Sequence, residues 1–517
     1  MNPYYAEDYD VIAIGASLAT LSSAITLAEQ GYKVLCLEQH NLPGGVATSF
    51  VRDGVELEAS LHEMMSVSTE EMPHFARKFL DDHGAHVDWI RLPHAYRLIT
   101  PSLDVNIHPG INGDFSIPAK EIASYCENPE EAEEKLMRFF ALCEKVRVSS
   151  DAFAERKIGI FEMLKHHRAF LASAPYSVET VWRFFGLPQK AKEILSAYWV
   201  YLGSPMKDVP FPVYGYLLAD YLGYGSYVPR HTSYEMSLKL AEAATALGVQ
   251  VEYGQRVSKI LVEKNRVKGV RLSSGIELKC PHVICGAYPS SAFLSLIEPA
   301  TEVPKKAKKW VNGMEIGVSC FSVVMLLDAT PEQLGIKDYA TFLSREELND
   351  TVSYQEGFGD VDWGYLTAVC VNIAHPDASP EGTAVYSITA VPSAEHFRSV
   401  EVEGYEEYKR RHAEQFIEAE NKRLGIRLQD HIKEIVIETP LTISHYTGAY
   451  LGGIYGYRHE MTNHVVSRTV LQRSERFIKG LSFSGAHQIS GDGMAPAIQN
   501  GITCAKEILE DLRRHKK

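Results

Sequence analysis

The sequence predicts an α/β protein whose N-terminal nucleotide-binding unit is completed by the far end of the chain, with mixed α+β segments between. Three observations carry this. The stretch "VIAIGASLAT" (Val11–Thr20) reads as a buried strand turning tightly into a helix. "KVLCLE" (Lys33–Glu38) follows as a second apolar strand ending in an acid. The chain closes on a strand, a Gly-rich loop and an amphipathic helix in "GLSFSGAHQISGDGMAPAIQNGITCAKEILEDL".

The elements follow in order. After strand Val11–Ile14, Leu18, Leu21, Ile25 and Ala28 recur at helical spacing, and Gly31 suits the helix end. Glu38 lies about 20 residues past Gly15, where an acid at the end of the second strand reaches a ribose hydroxyl. Of the three glycines of GxGxxG only Gly15 is present; Ser17 and Thr20 take the other places. The first glycine makes the tight turn, the second admits a pyrophosphate, and the third allows close helix–strand packing. Ser17 therefore costs some approach distance but brings a hydroxyl able to donate to phosphate. Thr20 is expected to push the helix slightly outward. In "PGGVATSF" the paired Gly44 and Gly45 permit contact between backbone and ligand.

From about 72 to 229 the pattern is mixed and largely helical, and the acidic run "ENPEEAEEKLMRFF" reads as a solvated helix face. The segment Tyr198–Pro229 is dense in aromatic rings, which suits either core or the lining of a tunnel. "HTSYEMSLKLAEAATALG" reads as a helix capped by Thr232 and Glu235 and ended by Gly248. A small meander then runs to the buried strand Val283–Cys285, and a second mixed block covers about 300–440. The final helix sets Ile498, Ile502, Ala505, Leu509 and Leu512 on one face, and its start near Gly493–Pro496 presents N–H groups and the positive end of the dipole.

At 517 residues the chain is too long for a single core. Its 45% apolar and 23% charged residues are ordinary for a globular protein. A net charge of −14 argues against nucleic acid as the main ligand. The start "MNPYYAEDYDVIAIG" has no basic leader region, and no apolar run is long enough to cross a bilayer. The eight cysteines lack metal-site spacing, so no metal is expected; they read as reduced structural thiols of a cytoplasmic protein.

Four blocks together resemble the FAD-binding phytoene desaturase, carotenoid isomerase and retinol saturase family within the amine-oxidase-like flavoproteins. They are "DYDVIAIGASLATLSSAITLAEQGYKVLCLEQHNLPGGVATSF", "GVELEASLHEM", "GSYVPRHTSYEMSLKLAEAATALGVQVEYGQRVSKI" and "GLSFSGAHQISGDGMAPAIQNGITCA". The resemblance implies a Rossmann-type, GR2-like FAD-binding domain assembled from 1–71, 230–300 and 440–517, and a mixed α+β, partly helical substrate domain from 72–229 and 301–439. It implies that Gly15, Ser17 and Leu18 lie against the FAD pyrophosphate and that Glu38 binds the adenosine ribose. Gly44, Gly45, Val46 and Ala47 would approach the dinucleotide and flavin, and Val257 would meet the adenine through its backbone. Gly485, Asp492, Gly493 and Met494 would lie beside the ribityl chain and the pyrimidine edge. Three departures stand out: Gly485-Ala486 for Gly-Asp, "PRHTS" for Pro-x-Gly-Gly, and Ser60 for the glycine of an Asp-x-Gly pattern.

On such a scaffold the flavin carries the redox chemistry, and the protein adds position and a proton donor or acceptor. The expected reaction is reduction, desaturation or isomerisation of a C=C bond in a long apolar molecule such as a carotenoid, retinoid or unsaturated fatty acid. The alternatives are oxidation of a smaller amine or alcohol in an aromatic cage, or a non-catalytic binding protein. Any NAD(P)H would bind transiently, and an apolar substrate implies a peripheral membrane contact without a span. Candidate catalytic residues are His62, Arg230 and His231, with Tyr224, Tyr227, Arg458 and His459 behind them. Arg230 suits a substrate carboxylate held in bidentate geometry, with an Asp or Glu ion pair or an FAD phosphate as the other readings.

Overall fold

The computed structural model describes residues 5, 8–155, 160–357, 364–393, 395, 401–463 and 477–515. Strand Val11–Ile14 stands at the centre of a five-stranded parallel sheet, ordered Leu481–Phe483, His282–Cys285, Val11–Ile14, Val34–Leu37, Gln250–Glu252. Val11, Ile12 and Ala13 are fully buried, as the inner strand of a sheet covered on both faces requires. The last strand of the chain is thus an edge of the sheet that the first strand begins.

Two helices seal the union of the chain ends. Helix Leu18–Ala28 packs along the final helix, Met494–His515, through small residues. A Cβ on Gly501 would run into the Ala19 carbonyl and lie 2.8 Å from Ser22 Cβ. Ser23 Oγ donates to the Gly501 carbonyl at 2.9 Å. Ser17 is the N-cap of the first helix, its oxygen accepting from Thr20 N–H at 3.3 Å. Thr20 does not need to displace that helix, because the loop after His282–Cys285 offers Gly286. A Cβ on Gly286 would lie 2.9 Å from the Thr20 methyl. The glycine missing from the fingerprint has its counterpart on the facing loop.

Helix Thr232–Ala246 forms, but not with the expected cap. Thr232 sits at φ 66°, and its hydroxyl donates to Glu56 at 2.9 Å. The helix start is satisfied instead by Glu58, which accepts from Ser233 N–H and Ser233 Oγ, each at 2.7 Å. A carboxylate at the positive end of the dipole does the work assigned to a capping box.

The second layer is a seven-stranded sheet ordered Ile432–Glu438, Phe321–Leu327, Ala384–Ala390, Tyr365–Cys370, Ala340–Ser344, Tyr96–Ile99, Asp104–Ile107. Side chains alternate across it with the strand period of two. Phe321, Val323, Met325 and Leu327 pack beneath helix Tyr405–Leu424, with the Phe321 and Phe416 rings 5.3 Å apart. The smaller Ser322 and Val324 face the other way. Helix Pro129–Glu155 exposes Glu130, Glu131 and Glu134 while burying Leu136, Phe139 and Phe140, so the acidic run is a solvated face. All eight cysteines are buried free thiols. Among the described residues no helix is long and apolar enough to cross a membrane.

Candidate functional site

A cavity of about 1070 Å³ lies between the two sheets, and the opening turn and final bend both line it. Gly15, Ser17 and Leu18 contribute from the first turn, and Gly485, Asp492, Gly493 and Met494 from the last. Glu38, Gly44, Gly45, Val46, Ala47 and Val257 complete this end. Gly15 adopts φ 97° and Gly44 φ 116°, conformations that side chains disfavour. A Cβ on Gly44 would also strike the Ala47 carbonyl and approach Ser237 Oγ to 2.6 Å. The Gly44 N–H donates to the Ala16 carbonyl at 2.8 Å, clamping this loop onto the first turn. Buried Glu38 accepts from the N–H groups of Ala16 and His40, each at 2.8 Å, so its carboxylate stands at the mouth of the turn.

The final bend is held by Asn500, a residue the sequence reading passed over. Its amide donates to the carbonyls of Gly485 and Gly491 at 2.9 Å, and its Oδ1 accepts from Ser490 N–H at 3.0 Å. Asp492 is paired with His459 Nε2. Fully buried Asn500 thereby fixes a loop that has no regular secondary structure.

The other end of the cavity is mostly apolar, with Glu438, pushed up to about 8 by burial, beside Ser322 on its floor. Its floor is the inner face of the seven-stranded sheet, where Val324, Val369 and Val385 stand beside Ser322 and Thr389. Val200, Leu202, Val213 and Leu217 form a wall with the rings of Tyr201 and Tyr221. The aromatic segment therefore divides: Tyr198, Trp199 and Tyr214 are core, while Tyr201, Tyr216 and Tyr221 line the cavity. Between the two ends runs the segment from Glu58 to Glu63, fastened where Ser60 Oγ donates to the Val46 carbonyl at 2.7 Å. Burial pushes His62 down to about 4, which keeps the ring neutral at physiological pH, and pushes Glu63 up to about 7. Asp151, also at the cavity, is raised to about 6 by burial.

His62 lines the cavity; Arg230 and His231 do not. Arg230 is a surface residue whose Nε pairs with Asp88 at 2.5 Å, reinforced by Arg230 N–H to the Asp88 carbonyl at 2.9 Å. The carboxylate clamp is corrected to a surface ion pair, because strands Trp89–Arg91 and Tyr227–Pro229 pair and bring Asp88 alongside. His231 is exposed and meets the ring of His375 at 6.2 Å. Among the reserve candidates, the Tyr224 hydroxyl donates to Glu144 at 3.0 Å, and Arg458 is held by Asp208 and Glu315 at 2.7 and 2.9 Å. Glu63 was missed, although an acid inside the apolar string "SLHEMM" is a signal in itself.

A family model for flavin-containing amine oxidoreductases matches residues 18–509. The chain belongs to this family. It is an FAD-dependent oxidoreductase, and the amine-oxidoreductase fold accounts for the joining of its two ends. Prolycopene isomerase 2, chloroplastic, of an Oncidium hybrid cultivar is 23% identical over 99% of this chain and 86% of its own length. All-trans-retinol 13,14-reductase of Danio rerio is 23% identical over 97% of this chain and 86% of its own. A solved putrescine oxidase variant superimposes with a TM-score of 0.65 at 15% identity, covering 98% of this chain and 99% of that one, a likeness of fold. The residues present fit FAD: Gly15 and Gly44 turn at positive φ and bring bare backbone to the cavity, with a buried acid beside the first turn.

Proposed function

We propose that this flavoenzyme reduces, desaturates or isomerises a C=C bond in a long apolar substrate such as a carotenoid, a retinoid or an unsaturated fatty acid. The observation that carries the reading is the division of one cavity into a glycine-turn end and a long end walled by valines and tyrosines. The relatives named as a prolycopene isomerase and a retinol reductase support the substrate class. A small amine would need a compact aromatic cage, whereas the floor here is a broad face of small aliphatic and hydroxyl side chains.

In this reading Gly15, Ser17 and Leu18 receive the pyrophosphate, with the Ser17 hydroxyl also capping its helix, and Glu38 exchanges its backbone partners for ribose hydroxyls. Gly44, Gly45, Val46 and Ala47 lie along the dinucleotide, Val257 meets the adenine, and Gly485 with Asp492, Gly493 and Met494 borders the isoalloxazine. Bound there, FAD supplies a two-electron donor or acceptor. The mostly apolar floor and walls exclude water and align the hydrocarbon by shape. His62, half-buried and neutral, borders the reacting region from the Glu58–Glu63 segment. The reading also places the enzyme in the cytoplasm with a peripheral bilayer contact. Exposed Phe161 and Leu164, on the helix that contacts the one carrying cavity-lining Phe170, support that contact.

The test is anaerobic incubation of purified, FAD-loaded protein, oxidised and pre-reduced, with a carotenoid, a retinoid and an unsaturated fatty acid, followed by chromatography with mass detection. A product altered at one C=C bond is expected. Turnover confined to small amines or alcohols would overturn the reading.

A further inference from the structure

The floor of the cavity is not uniform. Its inner-face residues fall into rows that cross four neighbouring strands, because directly opposed residues share a face of the sheet. One row runs Val436, Val324, Ser387, Val369. The row beside it runs Glu438, Ser322, Thr389, Thr367, and every member lines the cavity. Ser322 Oγ and Thr389 Oγ1 lie 2.8 Å apart, and Thr367 Oγ1 donates to the Thr389 carbonyl at 3.3 Å. At the end of this row stands Glu438, 9% exposed, with no hydrogen bond to its carboxyl among the described residues. Neither carboxyl oxygen is sealed off by protein, so the surface it keeps opens on the cavity.

A buried carboxyl without a partner is a poor structural element, since it costs stability. Glu58, at the end of strand Val55–Glu58, is by contrast satisfied by Ser233, Ser60 and Leu61. Burial, with the charge of Glu58 second, pushes Glu438 up to about 8, so it is largely protonated at neutral pH. No cation offsets the two acids. The Lys and Arg side chains that line the cavity among the described residues are Arg52 and Arg256, both exposed and neither shifting Glu438. Cys320, beside Ser322, is held up at about 12 by burial and stays a thiol. The row therefore presents neutral groups, a carboxyl O–H that donates and oxygens that accept. Its place in the cavity is fixed by the entry to strand Phe321–Leu327. Gly317 N–H donates to the Gly456 carbonyl at 2.9 Å, and Ile454 N–H donates to the Val318 carbonyl at 3.1 Å. Gly456 in turn lies against Ala486, in the final bend. The polar row is thus on the final-bend side of the floor, and the valine row is on the far side.

We infer that the row Glu438–Ser322–Thr389–Thr367 is a subsite for a neutral oxygen function, a hydroxyl or a carbonyl, carried by an otherwise apolar substrate. Built on the C=C reading above, this subsite narrows the substrate class. An oxygen seated there takes the Glu438 O–H, and a hydroxyl donates in return to the row. A plain hydrocarbon would cover the carboxyl and leave it unpaired, which a site made for a hydrogen bond penalises. A carboxylate would set an anion beside two acids with no cation to meet it. The valine row then carries the hydrocarbon body away from the final bend.

The experiment takes FAD-loaded wild type, Glu438→Leu, Glu438→Gln and Thr389→Val. Each meets polyenes identical except at one end, which is an alcohol, a methyl group or a carboxylate. Flavin bound per chain, Kd from the shift of the flavin bands on titration, and turnover at the C=C bond are read. Wild type is expected to bind the alcohol about 5- to 150-fold more tightly than the methyl compound, the range one hydrogen bond to a buried group supplies. The carboxylate should bind more weakly than the alcohol. Glu438→Leu should lose the preference at equal flavin content, and Thr389→Val should reduce it. Glu438→Gln, whose amide still donates and accepts, should keep most of it. Wild-type affinities for alcohol and methyl within about twofold, below that range, would overturn the inference while leaving the C=C reading intact. So would tightest binding of the carboxylate. Loss of flavin in Glu438→Leu with the preference unchanged would overturn it too, by giving the row to the cofactor. If Glu438→Leu does not fold, the wild-type comparison and Thr389→Val decide in the same way. Wild type that selects the alcohol but turns over none of the polyenes would overturn the C=C reading and leave the subsite standing.

Discussion

Replacing Gly501 by Ala sets two physical effects against each other. Gly501 lies inside the final helix, where alanine is favoured over glycine by about 1 kcal/mol on propensity alone. The packing predicts the opposite sign. The new Cβ would run into the Ala19 carbonyl and sit 2.8 Å from Ser22 Cβ and 3.0 Å from the Ala19 carbonyl carbon. None of these neighbours is the flexible end of a side chain, so the two helices must move apart, at an overpacking cost of about 1–3 kcal/mol. Separation also stretches the bond from Ser23 Oγ to the Gly501 carbonyl, now 2.9 Å, which is worth about 1 kcal/mol. The expected outcome is a net destabilisation of about 2 kcal/mol in urea unfolding followed by circular dichroism, with weaker retention of flavin during purification. The coupling to flavin follows because both helices open onto the cavity, through Ser17–Leu18 and Met494. Stabilisation of Gly501→Ala with unchanged flavin content would refute the reasoning, since it would mean that the chain ends are not in tight contact.

Further outcomes are expected elsewhere. Arg230→Ala should leave KM and flavin content unchanged and alter stability by no more than about 1 kcal/mol, because its partner Asp88 is a surface acid; steady-state kinetics with a carboxylated and an uncharged substrate check this. Glu38→Ala should weaken FAD by about 1–3 kcal/mol, read as roughly 5- to 150-fold in Kd by flavin fluorescence titration. Val385→Trp, on the cavity floor, should block long substrates while leaving the flavin spectrum unaltered. The pH dependence of stability should separate Glu63 from His62. Glu63 rises from 4.5 to about 7 on folding, so its contribution is full below pH 4.5 and is lost as pH climbs through 7. His62 falls from 6.5 to about 4, so its contribution is lost as pH drops through that window. Glu63→Gln removes only the former, and its stability relative to wild type should grow by up to about 3 kcal/mol between pH 5 and 8 in urea titrations.

Much of the fold could be read from the sequence because it rests on short-range periodicity. Strand Val11–Ile14, helix Leu18–Ala28 and the face of the final helix follow directly from apolar spacing. Contacts between distant residues could not be read in this way. Arg230 resembled a substrate clamp because Asp88 lies far from it in the chain, and only the pairing of two three-residue strands brings them together. Thr232 and Glu235 had capping spacing, but the acid that serves that helix start is Glu58, from a different hairpin. The substituted fingerprint misled in a similar way. Thr20 looked like a steric burden, and its relief is Gly286, on a loop more than half the chain away. In the site, His62 and the glycine turns were legible, whereas Asn500 and Glu63 were not, because their importance lies in which neighbours they have or lack.

The flavin content of the purified protein, measured by its visible absorption after incubation with FAD and removal of excess, tests the central claim most directly. The account predicts one FAD per chain, with bands in the blue and near-ultraviolet that shift when an apolar polyene is added. A protein that stays colourless after incubation with FAD would contradict it.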